Sequence, residues 1–234
     1  MKKTIGILGG MGPLATADLF YKITTLTKAS CDCDHIRVYI DSNAAIPDRT
    51  AAILHGGADP VEEMASALRN LEACGADCVI MPCNTAHYFI PQLEKRTKLP
   101  ILNMLTITAE SCAKHYPGKT AAILATDGTI QTGLYDRALE EAGVPYLHPR
   151  REEQAAVMHM VYDVVKASLP ILPEADTWTR MLDTLRTQGA DYFILGCTEL
   201  PILAETLPAE GPFIDPTTEL AKAAIRYCGY ELRE

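Results

Sequence analysis

The chain is short of positive charge: 21 Lys and Arg stand against 30 Asp and Glu in 234 residues, a formal net charge of −9. Nucleic acid and anionic membrane surfaces both require a basic face, so neither is expected as the main partner. No apolar run approaches the roughly 20 residues of a membrane span. Met1-Lys2-Lys3-Thr4 leads into a strand-like segment without the cleavage pattern of a secretory signal, so the expected location is the cytoplasm. A low-complexity linker is also missing, which argues against two loosely tethered domains. Hydrophobic residues make up 48% and charged residues 22%, as in a compact protein with a substantial core.

Cysteine, by contrast, is present eight times, at positions 31, 33, 74, 78, 83, 112, 197 and 228. In a reducing compartment these are buried thiols or chemistry, and a disulfide framework is not expected. Cys31-Asp32-Cys33-Asp34-His35 has the residue types of a metal site, but no second cysteine pair stands at a matching spacing, which argues against structural zinc.

Short β-branched runs alternate with longer amphipathic stretches. The strand candidates are Thr4–Leu8, Ile36–Ile40, Cys78–Pro82, Ile101–Asn103, Thr120–Leu124, Pro145–Leu147, Tyr192–Gly196 and Phe213–Asp215. Helices are predicted over 13–28, 60–74, 86–97, 105–115, 130–142, 151–168, 176–188, 199–207 and 216–228. Apolar strands alternating with helices imply parallel sheets covered on both faces. The strand starts of the first half, at 4, 36, 78 and 101, recur near 120, 145, 192 and 213. Gly75-Ala-Asp-Cys-Val-Ile-Met-Pro-Cys83-Asn-Thr85 aligns with Gly189-Ala-Asp-Tyr-Phe-Ile-Leu-Gly-Cys197-Thr198 at a shift of 114. The pattern reads as an internal duplication. The expected fold is α/β, with two similar pseudo-symmetric lobes, each a four-stranded parallel sheet flanked by helices, and an active site in the cleft between them. The first lobe spans 1–99, with the C-terminal segment 212–234 packing back on it, and the second spans 100–211.

Cys83 and Cys197 each stand where a buried strand is expected to end and a helix to begin, the place where ligands bind in open parallel sheets. A helix start offers amide donors and a dipole that favours thiolate over thiol, so both cysteines are expected to be reactive and to sit beside a small anion nest. Two equivalent thiols on opposite faces of one molecule can remove a proton from a carbon and deliver one to its other face, which inverts a stereocentre. A thiol hydrolase needs one cysteine and a histidine base; His87, four residues after Cys83, makes such a pair conceivable, while Pro201 stands at the equivalent place in the second half.

Gly10-Met11-Gly12-Pro13-Leu14-Ala15 fits the loose dinucleotide fingerprint, but the acid expected about 20 residues on is poorly matched. A tight turn that brings backbone close to a small ligand is the preferred reading. Gly118-Lys119-Thr120 precedes a strand and lacks the first glycine of a phosphate loop, its place being taken by Ala113. Arg49, in Ile46-Pro47-Asp48-Arg49-Thr50 after the second strand, is placed to hold a carboxylate.

Four motifs together resemble the cofactor-independent aspartate/glutamate racemase superfamily, its aspartate racemase branch above all. They are Gly9-Gly10-Met11-Gly12-Pro13, Ile46-Pro47-Asp48-Arg49-Thr50, Pro82-Cys83-Asn84-Thr85-Ala86-His87 and Leu195-Gly196-Cys197-Thr198-Glu199-Leu200. The resemblance implies a homodimer that needs neither pyridoxal phosphate nor a metal and interconverts L- and D-aspartate, with glutamate as a further substrate. It assigns Cys83 and Cys197 as the acid/base residues. Asn84, Thr85 and Thr198 would bind the α-carboxylate, Arg49 and Lys166 the side-chain carboxylate, and Met11, Thr126, Thr129 and Glu199 would complete the substrate pocket. Glutamate racemases usually carry Asp-Ser where this chain has Gly9-Gly10, and His where it has Glu199. Decarboxylases and cis–trans isomerases acting on related diacids share the framework, as would a diacid-binding relative without turnover.

Overall fold

A computed structural model of the chain describes residues 2–207 and 211–233. The elements run β1 (Ile5–Gly9), α1 (Pro13–Leu26), β2 (Val38–Ser42), α2 (Arg49–Leu54), α3 (Val61–Cys74), β3 (Cys78–Ile80), α4 (Ile90–Leu93), α5 (Met104–His115), β4 (Ala121–Leu124), α6 (Asp127–Gln131), α7 (Leu134–Glu141), β5 (Tyr146–Leu147), α8 (Arg151–His159), α9 (Ala175–Thr187), β6 (Tyr192–Leu195), α10 (Leu200–Thr206), β7 (Phe213–Ile214) and α11 (Pro216–Tyr227). They form two compact units. One comprises Met1–Ile107 with Thr217–Glu234, the other Thr108–Pro216. The divisions suggested by sequence fall at 99/100 and 211/212; helix α5 runs unbroken across the first of the observed boundaries, and its periodicity carries no mark of where one core hands over to the next.

The first unit holds a parallel sheet of order β2-β1-β3 and the second a parallel sheet of order β5-β4-β6-β7. The first sheet has three strands where four were expected. Ile101 makes only an isolated parallel bridge to Val79. Pro100 has no amide to donate, and Asn103 already turns the chain into α5, its side-chain oxygen accepting from the Leu105 amide at 2.9 Å. The run is too short for a ladder. In both units the central strand is flanked in the same way, β1 by β2 and β3, β4 by β5 and β6, as the repeat requires.

The repeated Gly-Ala-Asp is an architectural device. Gly75 and Gly189 end α3 and α9 at φ +85° and +107°, the left-handed conformation that glycine adopts without steric cost. Ala76 and Ala190 then donate back to the Leu71 and Leu185 carbonyls. Asp77 accepts from the Thr4 amide at 2.7 Å and Asp191 from the Thr120 amide at 2.8 Å. The Asp77 and Asp191 amides in turn donate to the Thr4 and Thr120 carbonyls. Each pair sets the register in which β3 starts beside β1 and β6 beside β4.

Helix α3 buries Val61, Met64, Ala65, Ala67, Leu68 and Leu71, and α9 buries Trp178, Met181, Leu182 and Leu185. Both sets follow the i, i+3, i+4, i+7 spacing of one apolar face. The other face of the first sheet is covered by α1, the start of α5 and α11, with Ile5, Ile7, Leu19, Ile23, Met104, Leu220, Ala224 and Ile225 in one core cluster. Cys78 and Cys228 meet inside it at 3.8 Å between sulfurs.

Several predicted helices are broken for local reasons. The 86–97 segment is a 3-10 turn over Thr85–Phe89 followed by α4. The 130–142 segment divides at Gly133, which sits at φ +61° between α6 and α7. Beyond α8 the coil widens to a π-helical turn over Met160–Val165. Helix α2, read from sequence as loop, is started by Asp48, whose carboxylate accepts from the Ala51 amide at 2.7 Å.

Leu220 is fully buried where α11 closes the first core. Leu220→Ala is expected to destabilise the protein by about 2–5 kcal/mol, read as a lower urea midpoint with a native far-ultraviolet spectrum retained before the transition.

Candidate active site

In the first unit the glycine loop leaves the end of β1. Thr16, in the first turn of α1, closes it: its hydroxyl accepts from the Gly10 amide and donates to the Gly12 carbonyl, both at 2.9 Å. Gly10 lies at φ +90°, and a Cβ there would stand 2.3 Å from the Asn43 carbonyl. The tight-turn reading is the one that fits, because backbone from the end of β2 occupies the space a side chain would need. Met11 is buried, and its carbonyl accepts from Arg49 Nη2 at 3.0 Å. Arg49 Nη1 donates to the Pro47 carbonyl at 2.9 Å and to the Ile46 carbonyl at 3.3 Å. A buried guanidinium therefore joins the loop after β1 to the loop after β2.

Cys83, Asn84 and Thr85 follow β3 and are all buried. The fold of this loop depends on His87. Met104 donates its amide to His87 Nε2 at 3.0 Å, so Nε2 is an acceptor and the ring proton lies on Nδ1. Nδ1 then donates to the Cys83 carbonyl at 2.8 Å. Burial, only partly offset by the surrounding carbonyls, pushes the His87 pKa down to about 4. Both ring nitrogens are committed to backbone, so His87 does not serve Cys83 as a base and the Cys/His hydrolase reading is overturned.

In the second unit Cys197, Thr198 and Glu199 follow β6, again all buried. Cys197 Sγ donates to Glu199 Oε2 at 3.0 Å and Thr198 Oγ1 donates to the same oxygen at 3.2 Å. Burial first, and then the Glu199 carboxylate, push the Cys197 thiol well above its ordinary range, while the Lys166 ammonium pulls the other way. This corrects the expectation of a dipole-lowered thiol at Cys197. The segments after both cysteines are short, a 3-10 turn with α4 after one and α10 after the other. At Cys197 the short α10 does not align enough peptide dipoles to outweigh desolvation. Thr126 and Thr129 are buried at the end of β4, their hydroxyls 3.3 Å apart. Lys166 follows the π-helical turn, exposed, with Nζ 4.2 Å from the Tyr162 ring centre.

Thus Met11, Cys83 and Asn84 lie in strand-end loops of the first unit, where Arg49 opens α2 and Thr85 opens the 3-10 turn, and Thr126, Cys197, Thr198 and Glu199 follow strands of the second, with Thr129 in α6. Lys166 lies beyond the π-helical turn of the second unit, near enough for its ammonium to act on the Cys197 thiol. Two contributions escaped the sequence reading: the Thr16 clasp of the glycine loop and the twofold backbone role of His87. The spacing of Thr16 four residues after Gly12 is the one local signal that pointed to the first. The Cys31–His35 segment offers no counterpart on the metal side; among the described residues no group of three His, Cys, Asp or Glu side chains is arranged to hold a metal ion. No helix among them is long and apolar enough to cross a membrane.

Residues 8–224 match the family model for Asp/Glu/hydantoin racemases. The chain belongs to the Asp/Glu/hydantoin racemase family. It is 29% identical to the broad specificity amino-acid racemase RacX of Bacillus subtilis, over 97% of this chain and 99% of that one. Among solved structures it is similar to Picrophilus torridus aspartate racemase, with 30% identity, a TM-score of 0.81 and coverage of 99% of this chain and 96% of the other. A stretch covering 62% of this chain is 34% identical to half of the glutamate racemase of Deinococcus radiodurans. The racemase fold thus accounts for both parallel sheets and their helical cover.

The depressed His87 pKa carries a stability consequence. The folded protein favours neutral imidazole, so this contribution is fully present above the ordinary histidine value of 6.5 and is lost as pH falls towards about 4. In that window the wild type is expected to lose about 3 kcal/mol on this account. His87→Gln should be less stable at pH 7 and show a flatter decline of the urea midpoint between pH 6.5 and 4.

Proposed function

We propose that this family member is a cytoplasmic racemase that interconverts L- and D-aspartate, with glutamate as a second substrate, and uses neither pyridoxal phosphate nor a metal. Cys83 and Cys197 act as the acid/base pair on opposite faces of the α-carbon. The observation that carries this reading is the placement of a buried cysteine two or three residues beyond β3 and beyond β6, the matching strands of two sheets that share the order of three strands. Duplicated thiols suit a reaction whose two directions are mirror images. The name of the Picrophilus torridus relative supports aspartate, and that of the Bacillus subtilis relative allows a wider substrate range.

The α-proton of an amino acid is weakly acidic, so negative charge forming on the carbon must be stabilised as the proton leaves. Loop amides at Asn84, Thr85 and Thr198 are the candidates for holding the α-carboxylate. Arg49 and Lys166 are the candidates for the side-chain carboxylate, and Met11, Thr126, Thr129 and Glu199 complete the pocket. Arg49 supplies its charge from a fixed position, because three backbone carbonyls already orient its guanidinium. The working form in this reading is a homodimer. Leu14, Phe20 and Tyr21 on α1 and Ile40 on β2 are exposed apolar side chains suited to a protein partner. Sedimentation should give twice the chain mass of 25.5 kDa.

Incubation with L-aspartate in D2O, followed by proton NMR and chiral chromatography, should show loss of the α-proton signal together with D-aspartate. Cys83→Ser and Cys197→Ser should each lower racemisation by roughly 10²–10⁴-fold, the range of one positioned acid or base. Turnover near the wild-type rate in either variant would sink the two-thiol mechanism.

A further inference from the structure

The two cysteines occupy equivalent places in the repeat but not equivalent surroundings. At the shift of 114, Asn84 corresponds to Thr198 and Thr85 to Glu199. A carboxylate thus stands two residues after Cys197, where the first unit has a hydroxyl. Glu199 is buried, and its Oε2 accepts from both Cys197 Sγ at 3.0 Å and Thr198 Oγ1 at 3.2 Å. The Thr198 hydroxyl fixes the carboxylate on the sulfur. A thiolate at Cys197 would place a second negative charge 3.0 Å from that oxygen in a site from which water is largely excluded.

We propose that Glu199 is a positioning residue that keeps the proton on Cys197 in the resting protein, so that Cys197 is the acid and Cys83 the base when substrate first binds. This rests on the racemase reading and deepens it by making the two thiols inequivalent. Cys83 Sγ takes the α-proton, and the electron pair left on the carbon takes the proton from Cys197 Sγ on the other face. After product leaves, Cys83 carries a proton and Cys197 a negative charge beside Glu199. Transfer of one proton from water to Cys197 and of one from Cys83 to water restores the resting form with no net change. Cys197 is raised by burial first and by Glu199 next, against the opposing pull of the Lys166 ammonium, in agreement with this assignment.

Steady-state efficiencies cannot read the asymmetry. Enantiomers have equal free energies, so kcat/KM is the same in both directions in every variant. Thiol labelling does read it. Trypsin releases residues 187–222 as one peptide whose sole cysteine is Cys197. The test is the pH profile of iodoacetamide labelling of that peptide in native wild type, urea-unfolded wild type and Glu199→Gln, with racemisation of wild-type protein measured in parallel. Native Cys197 should label with a midpoint at least about one pH unit above the unfolded reference, and Glu199→Gln should lower the native midpoint by about one to three units. Removal of a merely structural contact would change the labelling amplitude or the melting temperature without moving that midpoint. An unmoved midpoint in a folded Glu199→Gln protein that still racemises overturns the proposal and leaves the racemase reading standing. A native wild-type midpoint at or below the unfolded reference overturns the proposal even where the variant does not fold. Absence of wild-type racemisation overturns the reading itself, and the assignment of acid and base with it.

Discussion

The imidazole of His87 bonds to two buried backbone groups, the Cys83 carbonyl and the Met104 amide, and the geometry of the first cysteine loop follows from that pair of bonds. A buried amide or carbonyl without a partner costs on the order of a few kcal/mol, so this loop and the start of α5 keep their relation as long as the ring stays neutral. Arg49 does the same for two further loops by bonding three carbonyls, and Thr16 does it for the glycine loop. Strand-end loops have no ladder to fix them; in the first unit, side chains supply what the sheet does not.

The second unit is arranged on different chemistry. Its cysteine loop has neither a histidine bonded to backbone nor an arginine staple among the interactions described, and is organised around a buried carboxylate that faces the sulfur directly. The duplication therefore kept strand order, the glycine-ended helices and the aspartate that pairs with a strand-start threonine, while the residues just beyond each cysteine diverged. Architecture is repeated; electrostatics is not. A reaction between mirror-image molecules needs two groups of the same kind at different protonation states, and unequal surroundings are a simple way to define that state.

Much of this fold was legible because the signals were local. Apolar runs such as Ala121–Leu124 and Tyr192–Leu195 lie within a residue or two of where composition places them, and Gly75 and Gly189 mark helix ends by their own conformational freedom. The Ile101 segment was misread as a full strand because its β-branched character was counted without the loss of the Pro100 donor and the turn made by Asn103. Helix α2 was missed because six residues are too few for periodicity to show. At the candidate site, the repeat brought out both cysteines, but their environments depend on partners that spacing does not encode. Arg49 finds the carbonyl of a residue 38 positions away, and His87 an amide 17 positions on. Burial and the Glu199 carboxylate beside it both raise the Cys197 thiol, and these are properties of the assembled core that a rule about helix starts leaves out.

The discontinuity of the first unit has a consequence for how the chain comes into being. Residues 108–216 form the second unit as one uninterrupted stretch, whereas the first needs 217–234 to finish its core. During synthesis, Ile5, Ile7, Leu19 and Ile23 emerge early, but the helix carrying Leu220, Ala224 and Ile225 against them is made nearly 200 residues later. At the rates of ribosomal elongation, about 5–20 residues per second, that apolar face stays uncovered for roughly 10–40 seconds. The contiguous unit has all its parts before the discontinuous one does, so the unit that begins later along the chain is the one whose structure is free to form first.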